Sequence, residues 1–383
     1  MNAVIHVVCV IGTRPEAIKM APVIAALRQE SWVRCTVAVT AQHRELLDTA
    51  LGVFGLKADI DLDLMRPGQT LGSITGHAFL ALEPMLRDLR PDLVLAQGDT
   101  TTVMVTAVSC FYQGILFGHV EAGLRTGRMD NPFPEEANRV IAGKVAGLHF
   151  APTERAAAAL TTEGVARESI TITGNTVIDA LFSVRARAPV PDVKLSAGAK
   201  LLLVTAHRRE NFGQAMEEAM RGLRATVDAR PELHVLFPVH PNPNVKGIVD
   251  GILSGHPRIH LRPPMDYLAF SGAMAACDII LTDSGGVQEE APALGKPVLV
   301  MRSETERPEA VDLGVVRLVG SDGAKIRMWI ERLLDDPALY ASMVRPVSPY
   351  GDGRASQRIV QAIAASFGRV ASRPVIGEFD AGR

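Results

Sequence analysis

The sequence predicts an α/β protein built of two doubly wound domains that face each other across a cleft. Three observations carry that prediction. Short apolar runs alternate with longer segments of helical period from one end to the other, many of the runs are continuously apolar, and a proline-bearing, charged stretch near the middle interrupts the alternation. A strand covered by helices on both faces reads as a continuous apolar run, whereas a half-exposed strand alternates. With 383 residues the chain has room for two domains of ordinary size.

In the first half the strand-like runs are Ile5–Ile11, Thr36–Thr40, Asp92–Ala96, Ile115–Val120, Gly147–Ala151 and Ile170–Thr173. Between the first two, Ala17, Met20, Ala21, Ile24 and Leu27 mark one face of a helix. Pro15 opens it, supplying a preset backbone angle where no amide donor is needed. The stretch Arg185–Gly198 (RARAPVPDVKLSAG) lacks apolar periodicity and reads as a linker. Beyond it come Lys200–Thr205, Leu233–Val239, Arg258–Leu261, Asp278–Thr282, Pro297–Met301 and Val315–Val319. The expected division is therefore 1–182 for the first domain, 183–198 for the linker and 199–356 for the second. A last helix over about 357–372, patterned by Ile359, Ile363 and Phe367, is expected to cross back to the first domain. The tail after Arg373 is read as poorly ordered.

Composition narrows the function class. Apolar residues at 47% and charged residues at 21% exclude a disordered or fibrous chain. Forty Lys and Arg against 42 Asp and Glu leave a net charge of −2, so no global basic field draws in a nucleic-acid polymer. No apolar run is long enough to span a membrane, and no Lys or Arg precedes the apolar stretch from Val4, so neither a membrane protein nor a secretory signal is expected. Cys9, Cys35, Cys110 and Cys277 lie far apart without a Cys-x-x-Cys pair, which suits buried thiols in a reducing cytoplasm rather than disulfides or zinc.

Polar clusters recur just past the strand ends: Gly12-Thr13-Arg14-Pro15-Glu16, Gln42-His43-Arg44, Gln97-Gly98-Asp99-Thr100, Glu121-Ala122-Gly123-Leu124-Arg125, His207-Arg208-Arg209-Glu210, His240-Pro241-Asn242-Pro243 and Asp283-Ser284-Gly285-Gly286. The carboxyl edge of an open parallel sheet is where ligands bind. Asp283-Ser284-Gly285-Gly286 precedes a helical stretch and suits a phosphate on the helix amides, although a capping turn uses the same residues. Arg14, Lys19, Arg208 and Arg307 weigh toward the diphosphate, which wants several cations. Neither G-x-G-x-x-G nor G-x-x-x-x-G-K-[ST] occurs, so no nicotinamide cofactor and no ATP-driven step is expected. Asp59, Asp61 and Asp63 alternate, as on the exposed side of a short edge strand, and no metal site is read there. Asp99, Glu121, Glu135 and His207 are the titratable candidates for chemistry.

These residues resemble a known family. GTRPEAIKMAP (12–22), QGDTTT (97–102), GHVEAGLRTG (118–127), PFPEEANR (132–139), HRRENFG (207–213), HPNPNV (240–245), DSGGVQEE (283–290) and ERPEA (306–310) are similar to the motifs of the non-hydrolysing UDP-N-acetylglucosamine 2-epimerases. The resemblance runs from near residue 9 to about residue 360. It implies a Rossmann-like, glycosyltransferase-B-like fold and a cytoplasmic homodimer without cofactor or metal. It further implies reversible inversion at carbon-2 of UDP-N-acetylglucosamine, by elimination of UDP to 2-acetamidoglucal and re-addition, feeding surface polysaccharide synthesis. By the same resemblance Asp99, Glu121 and Glu135 are catalytic carboxylates and His207 the catalytic histidine. Arg14 and Lys19 form a basic pair, Ser284, Gly285 and Gly286 the phosphate turn, Glu290 the ribose carboxylate, and Phe270 lies by the uracil. Arg139, His240 and Arg307 line the site. Which carboxylate serves which face of the sugar stays open. Some bacterial members bind a second substrate molecule; here Glu45 and Gly68 stand where glutamine and arginine often occur, so no such site is expected. Competing readings are a retaining glycosyltransferase, a hydrolysing epimerase, an enzyme for another UDP-sugar and a non-catalytic sensor.

Overall fold

The computed structural model describes residues 4–40, 44–64, 66, 68–208, 211–345 and 348–381, leaving aside the side chains of 44–46. Gln42, His43, Arg209 and Glu210, singled out above, lie outside them. The chain divides into two compact units, Met1–Ser183 with Tyr350–Arg383, and Val184–Pro349.

In the first unit seven strands form a sheet in the order β3-β2-β1-β4-β5-β6-β7. They are β1 (Ile5–Ile11), β2 (Val33–Val39), β3 (Ile60–Asp61), β4 (Leu93–Gln97), β5 (Leu116–Val120), β6 (Leu148–Ala151) and β7 (Ile170–Ile172). All their pairings are parallel. Every residue of β1 and of β4 is buried, as continuous apolar runs require. Ala17, Met20, Ala21, Ile24 and Leu27 of α1 (Arg14–Leu27) are buried, so the apolar stripe is the face the helix hides. β3 is the edge strand; Asp59, just before it, takes the Val37 N–H at 2.8 Å and the Arg28 guanidinium at 3.2 Å.

The second unit holds six strands in the order β10-β9-β8-β11-β12-β13. They are β8 (Lys200–Thr205), β9 (Leu233–Pro238), β10 (Ile259–Arg262), β11 (Ile279–Thr282), β12 (Val298–Val300) and β13 (Val316–Leu318), again all parallel. Leu202, Val204, Phe237, Leu281 and Leu299 centre its core. In each sheet the chain order reverses once, between β1 and β4 and between β8 and β11. Such reversals leave a crevice at the carboxyl ends of the two strands because their following loops diverge.

Three expectations are corrected. Residues 350–356, assigned from sequence to the second domain, belong to the first unit. The reason is local: Asp179 takes the N–H groups of Ala355 and Ser356 and the Ser356 hydroxyl, capping α15 (Ala355–Ser366). The tail after Arg373 is not loose. Phe379 is buried, its N–H donates to Ile172 O at 2.8 Å, and the Arg358 guanidinium sits 5.7 Å from its ring. Of the stretch 183–198 expected as a linker, Ser183 ends the first part of the first unit and 184–198 go with the second unit, where Arg262 Nη2 donates to Asp192 O at 3.3 Å.

Candidate active site

In the first unit, β1 runs into the turn Gly12–Thr13 and then α1. Glu16 folds its carboxylate back over this turn, taking the Gly12 N–H at 2.6 Å and the Thr13 hydroxyl at 2.9 Å. Burial pushes the Glu16 carboxyl up to about 7 against those donors. Arg14 is exposed at the start of the helix. Lys19 is buried one turn on, and its Nζ lies 2.6 Å from Glu121 Oε1.

Glu121 follows β5 directly, with φ 65°, a left-handed backbone that few non-glycine residues adopt. Besides Lys19 it accepts from Asn175 Nδ2 at 2.8 Å and from Gln97 Nε2. The carboxylate is thus ringed by donors from the carboxyl ends of β4 and β7 and from α1. Below it His119 is wholly buried; its Nε2–H donates to Gly98 O at 2.7 Å, and desolvation lowers it to about 4, so the ring is neutral.

Asp99 follows β4. Its carboxylate meets Arg139 Nη2 at 2.5 Å, and its carbonyl takes Asn138 Nδ2 at 2.9 Å. Both partners lie on α5 (Glu135–Val145). Glu136, buried on the same helix, sits 3.2 Å from Arg139 Nη1 and takes the N–H groups of Thr126 and Gly127, each at 3.0 Å. Its neighbour Glu135 is half-buried, and its carboxylate makes no hydrogen bond or ion pair among the described residues.

In the second unit the same edge rule brings together His207 after β8 and Asp283 after β11, at the reversal of the sheet. His207 Nδ1 lies 3.1 Å from Asp283 Oδ1, and its ring stacks on His240, centroids 6.0 Å apart. Ser284 precedes α11 (Gly285–Ala293), yet its hydroxyl makes no capping bond to the helix, so the capping-turn reading does not describe this serine. Arg307 lies across Gly285: a Cβ there would be 2.8 Å from Arg307 Nη1, so only glycine leaves room for the guanidinium.

Arg307 Nε donates to Glu289 Oε1 at 2.5 Å and its Nη1 to Glu306, which also receives Arg302 Nη1 at 3.0 Å and has Arg208 at 4.0 Å. Burial pushes the Glu306 carboxyl up, but the Arg307 and Arg302 charges outweigh it and hold it far below the ordinary range. Glu290 accepts from the Tyr267 hydroxyl at 2.6 Å. Phe270 is half-buried on the same helix, α10 (Tyr267–Ala276).

Within the units, then, Asp99 meets Arg139, Lys19 meets Glu121, and His207 meets His240; Arg14 and Glu135 stand apart from those pairs. Sequence reasoning missed Asn175, Glu136, Tyr267, the Gln97–Glu121 contact and the Asp283–His207 contact. Asn175 follows β7 by three residues, so the edge rule pointed to it, but Gly174-Asn175-Thr176 carries no charge to mark it.

The UDP-N-acetylglucosamine 2-epimerase family profile matches residues 25–364. The UDP-N-acetylglucosamine 2-epimerase of Yersinia pestis is 51% identical over 367 residues, covering 93% of this chain and 98% of that protein. The crystal structure of the Neisseria meningitidis UDP-GlcNAc 2-epimerase bound to UDP-GlcNAc is 43% identical, with a TM-score of 0.89 over 94% of this chain and 99% of that one. The glycotransferase of kitacinnamycin shares the fold alone, with a TM-score of 0.62 at 16% identity, over 94% of this chain and 99% of that one. The fold is accordingly of the two-domain, glycosyltransferase-B-like α/β class, and the chain belongs to the UDP-N-acetylglucosamine 2-epimerase family.

Proposed function

We propose that this chain interconverts UDP-N-acetylglucosamine and UDP-N-acetylmannosamine without cofactor, the second unit holding the nucleotide and the first acting on the sugar. The observation that carries the reading is the set of charged side chains in the first unit: Asp99 and Glu121 are each fixed by a cation, while the Glu135 carboxylate makes no bond among the described residues. In the substrate the carbon-2 proton has no adjoining carbonyl to acidify it, so its removal must be coupled to departure of UDP. A base takes the proton, the electron pair forms the carbon-1 to carbon-2 double bond, and the carbon-1 to oxygen bond breaks toward the diphosphate. Re-addition of UDP to carbon-1 with a proton delivered to the other face of carbon-2 restores the charge and atom count in the epimer.

A carboxylate has about four lone-pair positions. Glu121 fills three with Lys19, Asn175 and Gln97, which suits a fixed negative charge rather than a shuttling base. We therefore assign proton transfer at carbon-2 to Asp99 and Glu135, and stabilisation of the developing positive character at the sugar to Glu121. His207 donates to or stabilises the departing diphosphate, beside the amides of Gly285 and Gly286 and the Arg307 guanidinium. Arg14 adds positive charge, Glu290 suits a ribose diol and Phe270 a uracil face. The product remains an activated sugar, so the reaction that consumes it is a glycosyl transfer, and supply of surface polysaccharide synthesis is the role we read.

Proton NMR of the protein with UDP-N-acetylglucosamine in heavy water tests this. The manno epimer should grow in with deuterium at carbon-2 and no added cofactor. Accumulation of free N-acetylmannosamine with UDP would instead support a hydrolysing enzyme, and a spectrum that never changes would reject the assignment.

A further inference from the structure

We infer that Asp283 is the positioning residue that fixes the ring orientation and tautomer of His207, leaving Nε2 as the nitrogen that exchanges a proton. The inference rests on the reading of His207 as the group acting at the departing diphosphate.

The placement follows from the sheet. β8 and β11 pair in register through Leu281 with Val204 and Thr282 with Thr205. One step on, the Asp283 N–H donates to Thr205 O at 3.2 Å, which brings its side chain under the loop that leaves β8. That side chain is wholly buried. Oδ2 accepts the His207 N–H and the Arg208 N–H, each at 2.9 Å, and Asn211 Nδ2 at 3.3 Å. Oδ1 faces His207 Nδ1 at 3.1 Å and the His207 N–H at 3.2 Å.

An ionised carboxylate only accepts, so Nδ1 must carry the hydrogen, and in the neutral ring Nε2 is then bare. Burial pushes the Asp283 carboxyl up, but the hydrogen bond and charge of His207 and the backbone donors outweigh it and hold it below the ordinary range. Its negative charge therefore persists beside Nδ1, so Nδ1–H stays the donor while Nε2 takes up or gives up a proton. On the other side the ring stacks on His240 at an interplanar angle of 25°, and His240 Nδ1 accepts the Asn242 N–H at 3.2 Å. His207 is thus held from two directions, with 39% of its side chain still exposed.

A competing role for Asp283 is simply to tie the loop, since it also binds Arg208 N and Asn211. The two roles separate in Asp283→Asn. The amide oxygen can stay on the backbone donors while the NH2 group turns to Nδ1, which becomes the acceptor. Long-range nitrogen–proton NMR on the labelled full chain should then show His207 as the Nδ1–H tautomer in the wild type and as Nε2–H in the variant. UDP binding by calorimetry should be unchanged, and kcat for deuterium exchange at carbon-2 should fall on the order of a hundredfold or more.

A double-mutant cycle completes the test. In a His207→Gln background Asp283→Asn should change kcat by no more than about twofold, because its effect passes through the ring. An equal loss in both backgrounds, or an Nε2–H tautomer in the wild type, overturns the inference. Should Asp283→Asn fail to fold, Asp283→Ser, which keeps an acceptor for the backbone amides, is read in the same cycle. If the wild type does not turn over UDP-N-acetylglucosamine the functional reading fails, while the tautomer measurement still judges Asp283.

Discussion

Lys19 Nζ and Glu121 Oε1 meet at 2.6 Å with side-chain exposures of 10% and 5%, joining the first helix to the loop after β5 across 102 positions of sequence. A buried pair of this kind is a weak source of net stability but expensive to break, because the partner left behind keeps its charge without compensation. Lys19→Met should therefore destabilise the protein by about 3–5 kcal/mol. Lys19→Met with Glu121→Gln should recover part of that loss without recovering turnover. Denaturant unfolding of the single and double variants is the check; a single variant as stable as the wild type would mean the pair is not desolvated.

Glu135 and Glu136 are adjacent on α5 and predicted to fail differently. Glu136 holds two backbone N–H groups and faces Arg139, so Glu136→Gln should cost about 1–3 kcal/mol of stability and loosen Asp99 through Arg139. Glu135 has no such bonds among the described residues, so Glu135→Gln should leave stability within about 0.5 kcal/mol. Its kcat should fall on the order of a hundredfold or more. Thermal melts with steady-state rates separate the two, and the reverse pattern would exchange their roles.

The strands are legible because parallel sheets bury both faces: the apolar run Lys200–Thr205 coincides with β8 to the residue. β2 begins at Val33, three residues before the run that marks it, because Arg34 breaks the apolar pattern there. The edge rule located Asp99, Glu121, His207 and Asp283, since loops after strands are fixed by topology. It could not pair them. Periodicity states which face of α1 is buried, but not that Lys19 on that helix reaches a carboxylate 102 residues away. The tail from Pro374 carries no apolar period. Its order comes from Phe379 and from Glu378, which binds Arg167 at 2.7 Å and the Ile172 N–H at 3.1 Å, contacts that local pattern does not encode.

Gly285 makes room for Arg307. Its backbone is ordinary helix start, so Gly285→Ala should not destabilise α11, yet its new Cβ would displace a guanidinium pinned by Glu289 and Glu306. If Arg307 grips the diphosphate, KM should rise about tenfold or more, the worth of one charge-assisted hydrogen bond. Wild-type KM in a normally folded Gly285→Ala protein would remove Arg307 from that role.

Glu45 and Gly68 depart from the residues often found in members with a second substrate site. Initial rates against UDP-N-acetylglucosamine should accordingly be hyperbolic, with a Hill coefficient of about 1. A sigmoidal curve abolished by preincubation with substrate would contradict this.

Glu16 and His119 give the first unit opposed pH limits. Folded, Glu16 titrates at about 7 against 4.5 for a free glutamate, because burial outweighs the donors at Gly12 and Thr13. Between those values the folded state binds more protons than the unfolded one, so stability falls as pH rises through that window and levels off above it. His119 runs the other way: folded at about 4 against 6.5 free, it makes the unfolded state the better proton acceptor, and stability falls as pH drops from 6.5 toward 4. Each group is worth on the order of 3 kcal/mol across its window. Relative to the wild type, Glu16→Gln should gain stability between pH 5 and pH 8 by that order, and His119→Asn should gain it between pH 6.5 and pH 4. Unfolding free energies measured along the pH axis decide the matter. Profiles that run parallel to the wild type for both variants would place the pH dependence elsewhere, whereas loss of only one limb would assign the remaining one to a different buried group.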